Sequence, residues 1–483
     1  MKNNFLKNFI IIGGGTFISM FIGFITTPII TRAVDPNAYG EYSIFTLYSS
    51  IAVMVLYLGM DQSLVRFFYD KDSLDYKRSL LHKCIRVPIL LCGIALLAVF
   101  AMVKTNIWTF ELGNIVLALL CVYTFIQVVY RFSLLLVRLQ YKSKIYSTLS
   151  IINKIVYVVL ALAFLQSRKL GVSISLILAL TIAAAVCLLV SIACEKSLWF
   201  GKTSKNDQCE IDISSLVKYA FPYVFSMGIT ILFQTADKLA LNAYGTYSDV
   251  GIYSSTMTLV NVFAIVQTSF NTLWAPMAVE HYSKDPNDKS LYYKGNQIIT
   301  VIMFFIGLTL ILFKDVFALL LGEKYREAAY ILPFLIFNPI MYTISETTVN
   351  GLVFMKKSNY QVVVAIGACV ANIIGNTVLV PKLGCKGAAI STGLSYIIFF
   401  TLRTVLSNKC FYVDFKLKRF YILTLLTVLY AGYSTFFPFG LYSIIGYAVC
   451  VASILIMYEP TVLFCFQYIY KTIEGFKFKY ENR

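Results

Sequence analysis

One lysine stands where a membrane makes lysine expensive. Lys154 lies mid-way along the apolar run 145–165, about nine residues or roughly 13 Å of helix from either end. That is farther than its side chain comfortably snorkels, and facing lipid there would cost about 2.5–3.5 kcal/mol. Tyr146, Ser150, Asn153 and Tyr157 share one helix face with it. Two readings stay open: a structural ion pair with another helix, or a cationic group in a substrate cavity that would take an anionic ligand. The run 328–353 carries Asn338, Tyr342, Ser345, Glu346 and Asn350 on one face. Glu346 could pair with Lys154, or take up a proton or sodium ion during transport.

Other apolar runs carry milder stripes. Tyr223, Ser226, Thr230, Gln234 and Asp237 line one face of 216–238, and Thr16, Ser19, Gly23 and Thr27 lead to Arg32 along 9–31. Asn261, Thr268 and Asn271 or Thr272 mark 251–274, and Asn372 and Asn376 mark 360–380. Singly, such residues are usually hydrogen-bond formers between membrane helices. Together they suggest the walls of a hydrated vestibule, with Pro28, Pro222, Pro333 and Pro339 bending helices around it. Arg66, Arg131 and Arg138 near helix ends read as head-group anchors, or as guides for a phosphate. The candidate cavity set is therefore Lys154, Asn153, Tyr157, Arg32, Arg66, Gln234, Asp237, Asn261 and Asn372. Glu346 and Asp237 are the candidates for ion coupling.

The elements that would position these residues are membrane helices. Of 483 residues 59% are hydrophobic and only 13% charged, well below the charge of a soluble protein. Fourteen runs have the length of a span: 9–31, 42–60, 84–103, 114–137, 145–165, 171–194, 216–238, 251–274, 296–317, 328–353, 360–380, 385–406, 420–437 and 441–466. The first, with Lys2 and Lys7 before it, is too long for a signal-peptide core and reads as an uncleaved span. With the N-terminus inside, about thirty of the 41 Lys and Arg fall on inner segments and about ten outside. The inner set includes Lys202, Lys205, Lys471, Lys477, Lys479 and Arg483. Both termini are then cytoplasmic, and the net charge of +17 is a topology signal rather than a nucleic-acid footprint.

Several chemistries are missing from the pattern. No GxxxxGK[ST] or HExxH occurs, the two histidines His82 and His281 lie in separate segments, and the eleven cysteines show no paired spacing. No connection is long enough to fold as a soluble domain. A catalytic loop, a metal centre and a resident cofactor are all unsupported, and the chain does not read as an enzyme.

The chain also repeats. Tyr39-Gly40-Glu41-Tyr42-Ser43 echoes Val250-Gly251-Ile252-Tyr253-Ser254 at an offset of 211 residues. Lys144-Ile145-Tyr146 resembles Ser358-Asn359-Tyr360, and Leu170-Gly171 matches Leu383-Gly384, at offsets of 214 and 213. The expected architecture is an all-α polytopic membrane protein of two pseudo-symmetric six-helix bundles, 1–200 and 201–410. Two further helices and a basic cytoplasmic tail occupy 411–483. An even number of spans per bundle would relate the two by an axis along the membrane normal. Gly-x-Tyr-Ser would be the joint that opens the second helix of each bundle.

On these residues the sequence resembles the polysaccharide transporter branch of the multidrug, oligosaccharidyl-lipid and polysaccharide exporter superfamily, which includes the Wzx-type flippases. The resemblance is carried by Arg32-x-x-Asp35-Pro36-x-x-Tyr39-Gly40-x-Tyr42 and by Gly59-Met60-Asp61-Gln62-x-x-Val65-Arg66-Phe67. It is carried further by Asp237-Lys238 leading to Val250-Gly251-Ile252-Tyr253. It implies a bacterial inner-membrane flippase moving an undecaprenyl-diphosphate-linked oligosaccharide, an O-antigen or capsule repeat unit, to the outer leaflet by alternating access. H+ or Na+ coupling is left open. Implied partners are membrane lipids, a polysaccharide polymerase and a chain-length regulator. The chain departs from the pattern in having a lone Lys154 rather than a dense set of cavity arginines. A peptidoglycan-precursor flippase, a multidrug exporter and a membrane glycosyltransferase or polymerase are the alternatives.

Overall fold

A backbone surrounded by hydrocarbon must satisfy its own polar groups, and without closing a barrel it can do so only by coiling into helix. The structure, a computed structural model, describes residues 2–105, 110–201, 210–357, 359–464 and 467. It is 87% helical and holds no strand among the described residues. The chain is all-α and polytopic, as its apolar blocks predict. Ser358, Lys202, Lys205, Lys471, Lys477, Lys479 and Arg483 lie outside the described residues, as do the side chains of Lys2, Lys7 and Thr16.

In order the helices are α1 (Lys2–Ala33), α2 (Pro36–Tyr57), α3 (Met60–Phe67), α4 (Leu74–Lys104), α5 (Asn114–Leu139), α6 (Ser143–Ser167) and α7 (Val172–Cys194). There follow α8 (Lys196–Trp199), α9 (Ile213–Tyr244), α10 (Tyr247–Val260), α11 (Ala264–Lys284), α12 (Ser290–Leu312) and α13 (Lys314–Leu320). The last are α14 (Ala328–Leu335), α15 (Phe337–Thr348), α16 (Asn350–Phe354), α17 (Asn359–Leu383), α18 (Cys385–Cys410), α19 (Leu417–Phe436) and α20 (Leu441–Met457). Among the described residues ten helical segments are long and apolar enough to cross a membrane, or eleven if the bent pair α2–α3 counts as one. Phe17–Ala33 and Leu441–Met457 are shorter apolar helices. Exposed large side chains such as Leu97, Phe100, Leu429 and Ile456 mark surfaces suited to lipid.

Three expected spans are interrupted. Between α2 and α3 the axis bends by 54°, where Leu58 and Gly59 both take positive φ, 47° and 69°. Gly59 has a second reason to be glycine: a Cβ there would lie 2.4 Å from the carbonyl oxygen of Ala220. A 3-10 turn, Asn261–Phe263, separates α10 from α11. The run expected at 328–353 is three short helices, with Pro333 inside α14 and Pro339 in the first turn of α15.

By their contacts the residues form two compact units, 1–238 with 246–254, and 239–245 with 255–483. In the first, α6 packs against α1 and α7, and α5 against α2 and α7. An apolar core including Met60, Leu64, Phe68, Leu80, Phe132, Leu136 and Ala220 joins α3, α4, α5 and the start of α9. The Ser63 hydroxyl donates to the Leu216 carbonyl at 2.7 Å, tying α3 to α9. In the second unit α18 packs on α17, α15 and α14, while α19 and α20 pair at one side. Phe400 of α18 stacks on Phe420 of α19 with centroids 4.2 Å apart.

Candidate functional site

Lys154 occupies the middle of α6 with its side chain exposed, and it makes no hydrogen bond or ion pair among the described residues. Its helix is held firmly on either side of it. A Cβ on Gly15 of α1 would lie 2.2 Å from the Ser147 Cβ, so those two backbones run close. The Ser19 hydroxyl reaches the Ser150 carbonyl at 3.5 Å. Asn153 is half-buried. Tyr157 is buried and stacks on Tyr42 with centroids 6.0 Å apart, and Tyr42 leans on Tyr39 at 5.7 Å. Among the described residues this mid-helix cation has no hydrogen-bonding or ion-pairing partner.

The polar stripe of α9 is open. Tyr223, Ser226, Thr230 and Gln234 are all exposed, and so are Phe221, Phe225 and Leu232 on the same helix. A membrane helix exposed on both an apolar and a polar face can give the first to lipid and the second to water. Asp237, at the end of the stripe, behaves differently. It is buried and accepts a 2.6 Å hydrogen bond from the Tyr253 hydroxyl of α10. Arg32 is exposed at the end of α1. Arg66 is exposed at the end of α3, pairs with Asp70 at 3.1 Å and lies over the Phe67 ring at 5.2 Å. From Phe67 an aromatic ladder continues to Tyr219 and Tyr223, at 5.5 and 5.6 Å between centroids.

In the second unit Glu346 forms an ion pair with Arg403 of α18. The Arg403 guanidinium donates to Glu346 Oε1 at 2.8 Å and to Ser345 Oγ at 2.6 Å. It also lies over the rings of Tyr342 and Phe399, 5.5 Å from each centroid. Both charged groups are buried. Asn261 is exposed at the 3-10 turn. Asn372 is buried, its side chain accepting from Asn376 at 3.0 Å and its carbonyl from Ser391 of α18 at 2.9 Å. It belongs to the seam between α17 and α18.

Sequence reading missed Arg403, which looks from its surroundings like one more inner-end cation. It also missed two buried carboxylates with partners on other helices or turns, Asp61 with Arg131 at 3.0 Å and Glu195 with Lys142 at 2.8 Å. Charged residues at the ends of apolar runs were the available signal, but their pairing was not. Among the described residues no group of three or more His, Cys, Asp or Glu is placed to hold a metal ion.

Residues 5–281 match the family described as polysaccharide biosynthesis protein. An uncharacterized membrane protein of Methanocaldococcus jannaschii is 26% identical over 192 residues, 39% of this chain. The match spans only 37% of that relative's length. The lipid II flippase MurJ in an inward closed conformation superposes with a TM-score of 0.68 at 16% identity, over 95% of this chain and 99% of that one. An inward-facing multidrug transporter of the MATE family and MOP superfamily gives 0.58 at 14%, over 81% of this chain and 94% of its own. At such identities the likeness is one of fold.

Proposed function

Since the chain belongs to the polysaccharide biosynthesis protein family, we propose that it is a flippase for an undecaprenyl-diphosphate-linked oligosaccharide, an O-antigen or capsule repeat unit. It moves this cargo from the inner to the outer leaflet of a bacterial cytoplasmic membrane by alternating access. The observation that carries this reading is Lys154, exposed and unpaired in mid-helix. Leaving it against lipid would cost about 2.5–3.5 kcal/mol, whereas a hydrated cavity removes that cost and a diphosphate reverses it. The exposed face of α9, through Ser226, Thr230 and Gln234, offers hydroxyl and amide groups to sugar hydroxyls. Asn153 and Tyr157 set the position of Lys154, Arg32 and Arg66 draw the anion toward the cavity, and Asn261 contributes at the break in its span. Asn372 serves the site only through the packing of α17 on α18. Glu346 and Asp237 are the coupling candidates for H+ or Na+.

The frame for this work is fourteen crossings in two six-helix bundles, 1–200 and 201–410, with a further pair in 411–483 and both termini cytoplasmic. A polymerase and a chain-length regulator would act on the delivered repeat unit. The test is Lys154→Ala in the native host. Surface polysaccharide should be lost while inserted protein stays at wild-type abundance, and Lys154→Arg should recover part of it. Normal polysaccharide in the alanine variant would overturn the cavity assignment. Rescue of a strain depleted of its peptidoglycan-precursor flippase would move the cargo to that class.

A further inference from the structure

The second unit contains a cavity of about 380 Å³ bounded by α12, the start of α19 and the end of α20. Ile298 of α12, Met457 of α20 and Phe464 beyond it supply apolar wall, and Lys294 and Arg419 supply two cations. Among the described residues no acidic side chain lines it. Lys294 lies one turn into α12, Arg419 in the first turn of α19 and Met457 at the last residue of α20. The cavity therefore sits at a single end of these three helices. Tyr293 and Tyr458 also line it, and tyrosine beside Lys and Arg at the ends of apolar helices marks the head-group level of a bilayer.

The two cations are not equivalent. The Arg419 guanidinium donates to the Met457 carbonyl at 3.0 Å, which fixes it across the mouth of α20 and leaves further N–H groups free to donate. Lys294 is exposed and makes no hydrogen bond or ion pair among the described residues. Two positive charges with no acid beside them among the described residues, next to an apolar hollow, match an amphiphile with an anionic head. The volume lies within the usual range for a small-molecule pocket, and holds a phosphate head with the beginning of one chain rather than a whole two-chain lipid.

We propose that this cavity is a binding site for an anionic phospholipid, its phosphate held between Lys294 and Arg419 and one acyl chain lying against Met457 and Phe464. The bilayer itself supplies such a ligand in excess, at the level where the two cations sit. A zwitterionic head would bring its own cation toward Lys294 and Arg419 and lose most of the attraction. The proposal rests on these three helices and their charges and does not depend on what cargo the protein carries.

The test is native mass spectrometry of the purified full chain titrated with phosphatidylglycerol, and in parallel with phosphatidylcholine and a polyprenyl monophosphate. One saturable phosphatidylglycerol should bind in preference to phosphatidylcholine, and Lys294→Gln should weaken it about fivefold, as expected for one interfacial cation. Lys294 is exposed, so that variant should fold; Ile298→Trp, which fills the cavity and keeps both charges, should remove the tightly held lipid independently. Equal binding of phosphatidylcholine, or unchanged affinity in Lys294→Gln, would overturn the site. Tighter binding of the polyprenyl phosphate with the same dependence on Lys294 would overturn the phospholipid assignment in favour of a prenyl lipid.

Discussion

At the scale of single residues, Glu346 is tied to Arg403 through one carboxylate oxygen, so any coupling through it would act on this ion pair. The pair is buried and roofed by two aromatic rings, so removing one partner strands the other. Arg403→Ala should therefore cost about 3–5 kcal/mol of stability, measured as unfolding in detergent. Glu346→Gln keeps an acceptor for Arg403 and should cost less. If Glu346 is the coupling group, the same Gln variant should abolish any pH or sodium dependence of transport in proteoliposomes; a dependence that persists would place the coupling elsewhere and leave the pair a structural one. The contrast with Lys154 shows what a sequence can reveal at this scale. A single charge in the middle of an apolar run is a local signal, read from twenty residues. The partner of Glu346 lies 57 residues away on another helix, and no spacing along the chain announces it. Asp237 is similar: its place on the α9 stripe was legible, but the hydroxyl of Tyr253 that holds it was not.

At the scale of elements, the repeated Gly-x-Tyr-Ser joint is also a point of contact. Asp35 caps α2, its carboxylate accepting from the Ala38 N–H at 3.0 Å, with Pro36 in the first turn. Thr246 and Asp249 cap α10 reciprocally, each side chain accepting from the other's backbone N–H at 3.2 and 2.9 Å. The two capped turns then meet. A Cβ on Gly40 would lie 1.7 Å from the Tyr247 carbonyl oxygen, and one on Gly251 2.0 Å from that of Pro36. The sequence showed the motif twice and marked it as a helix opening; that the copies touch each other needed the structure. Gly40→Ala and Gly251→Ala should each lower stability by about 1–3 kcal/mol through overpacking. Gly432→Ala in α19, where a Cβ would meet nothing within 4 Å, should leave stability unchanged or slightly raised. Equal behaviour of the three variants in thermal unfolding would refute the close contact. The 3-10 turn at Asn261–Phe263 left no such trace, because neither glycine nor proline marks it.

At the scale of the whole molecule, orientation is the property on which every transport argument turns, since it decides which leaflet supplies the cargo. The sequence speaks to it through charge. Retention of Lys and Arg on one side acts on short connections, and the connections here are short: α11 to α12 crosses at 285–289 and α13 to α14 at 321–327. The first should be cytoplasmic and the second external. Each can carry one probe cysteine, Asn287→Cys and Glu323→Cys, in a background cleared of native cysteine. Asn287 and Glu323 are both exposed, so neither substitution should disturb packing. A thiol reagent that cannot cross the membrane holding the protein should modify Glu323→Cys at once, and Asn287→Cys only after that membrane is opened. The reverse pattern would put Lys294 and Arg419 at the outer face and turn the entry route for the cargo around. Labelling of both positions in intact cells would mean that an odd number of crossings does not separate them, and the count of fourteen would fail with it.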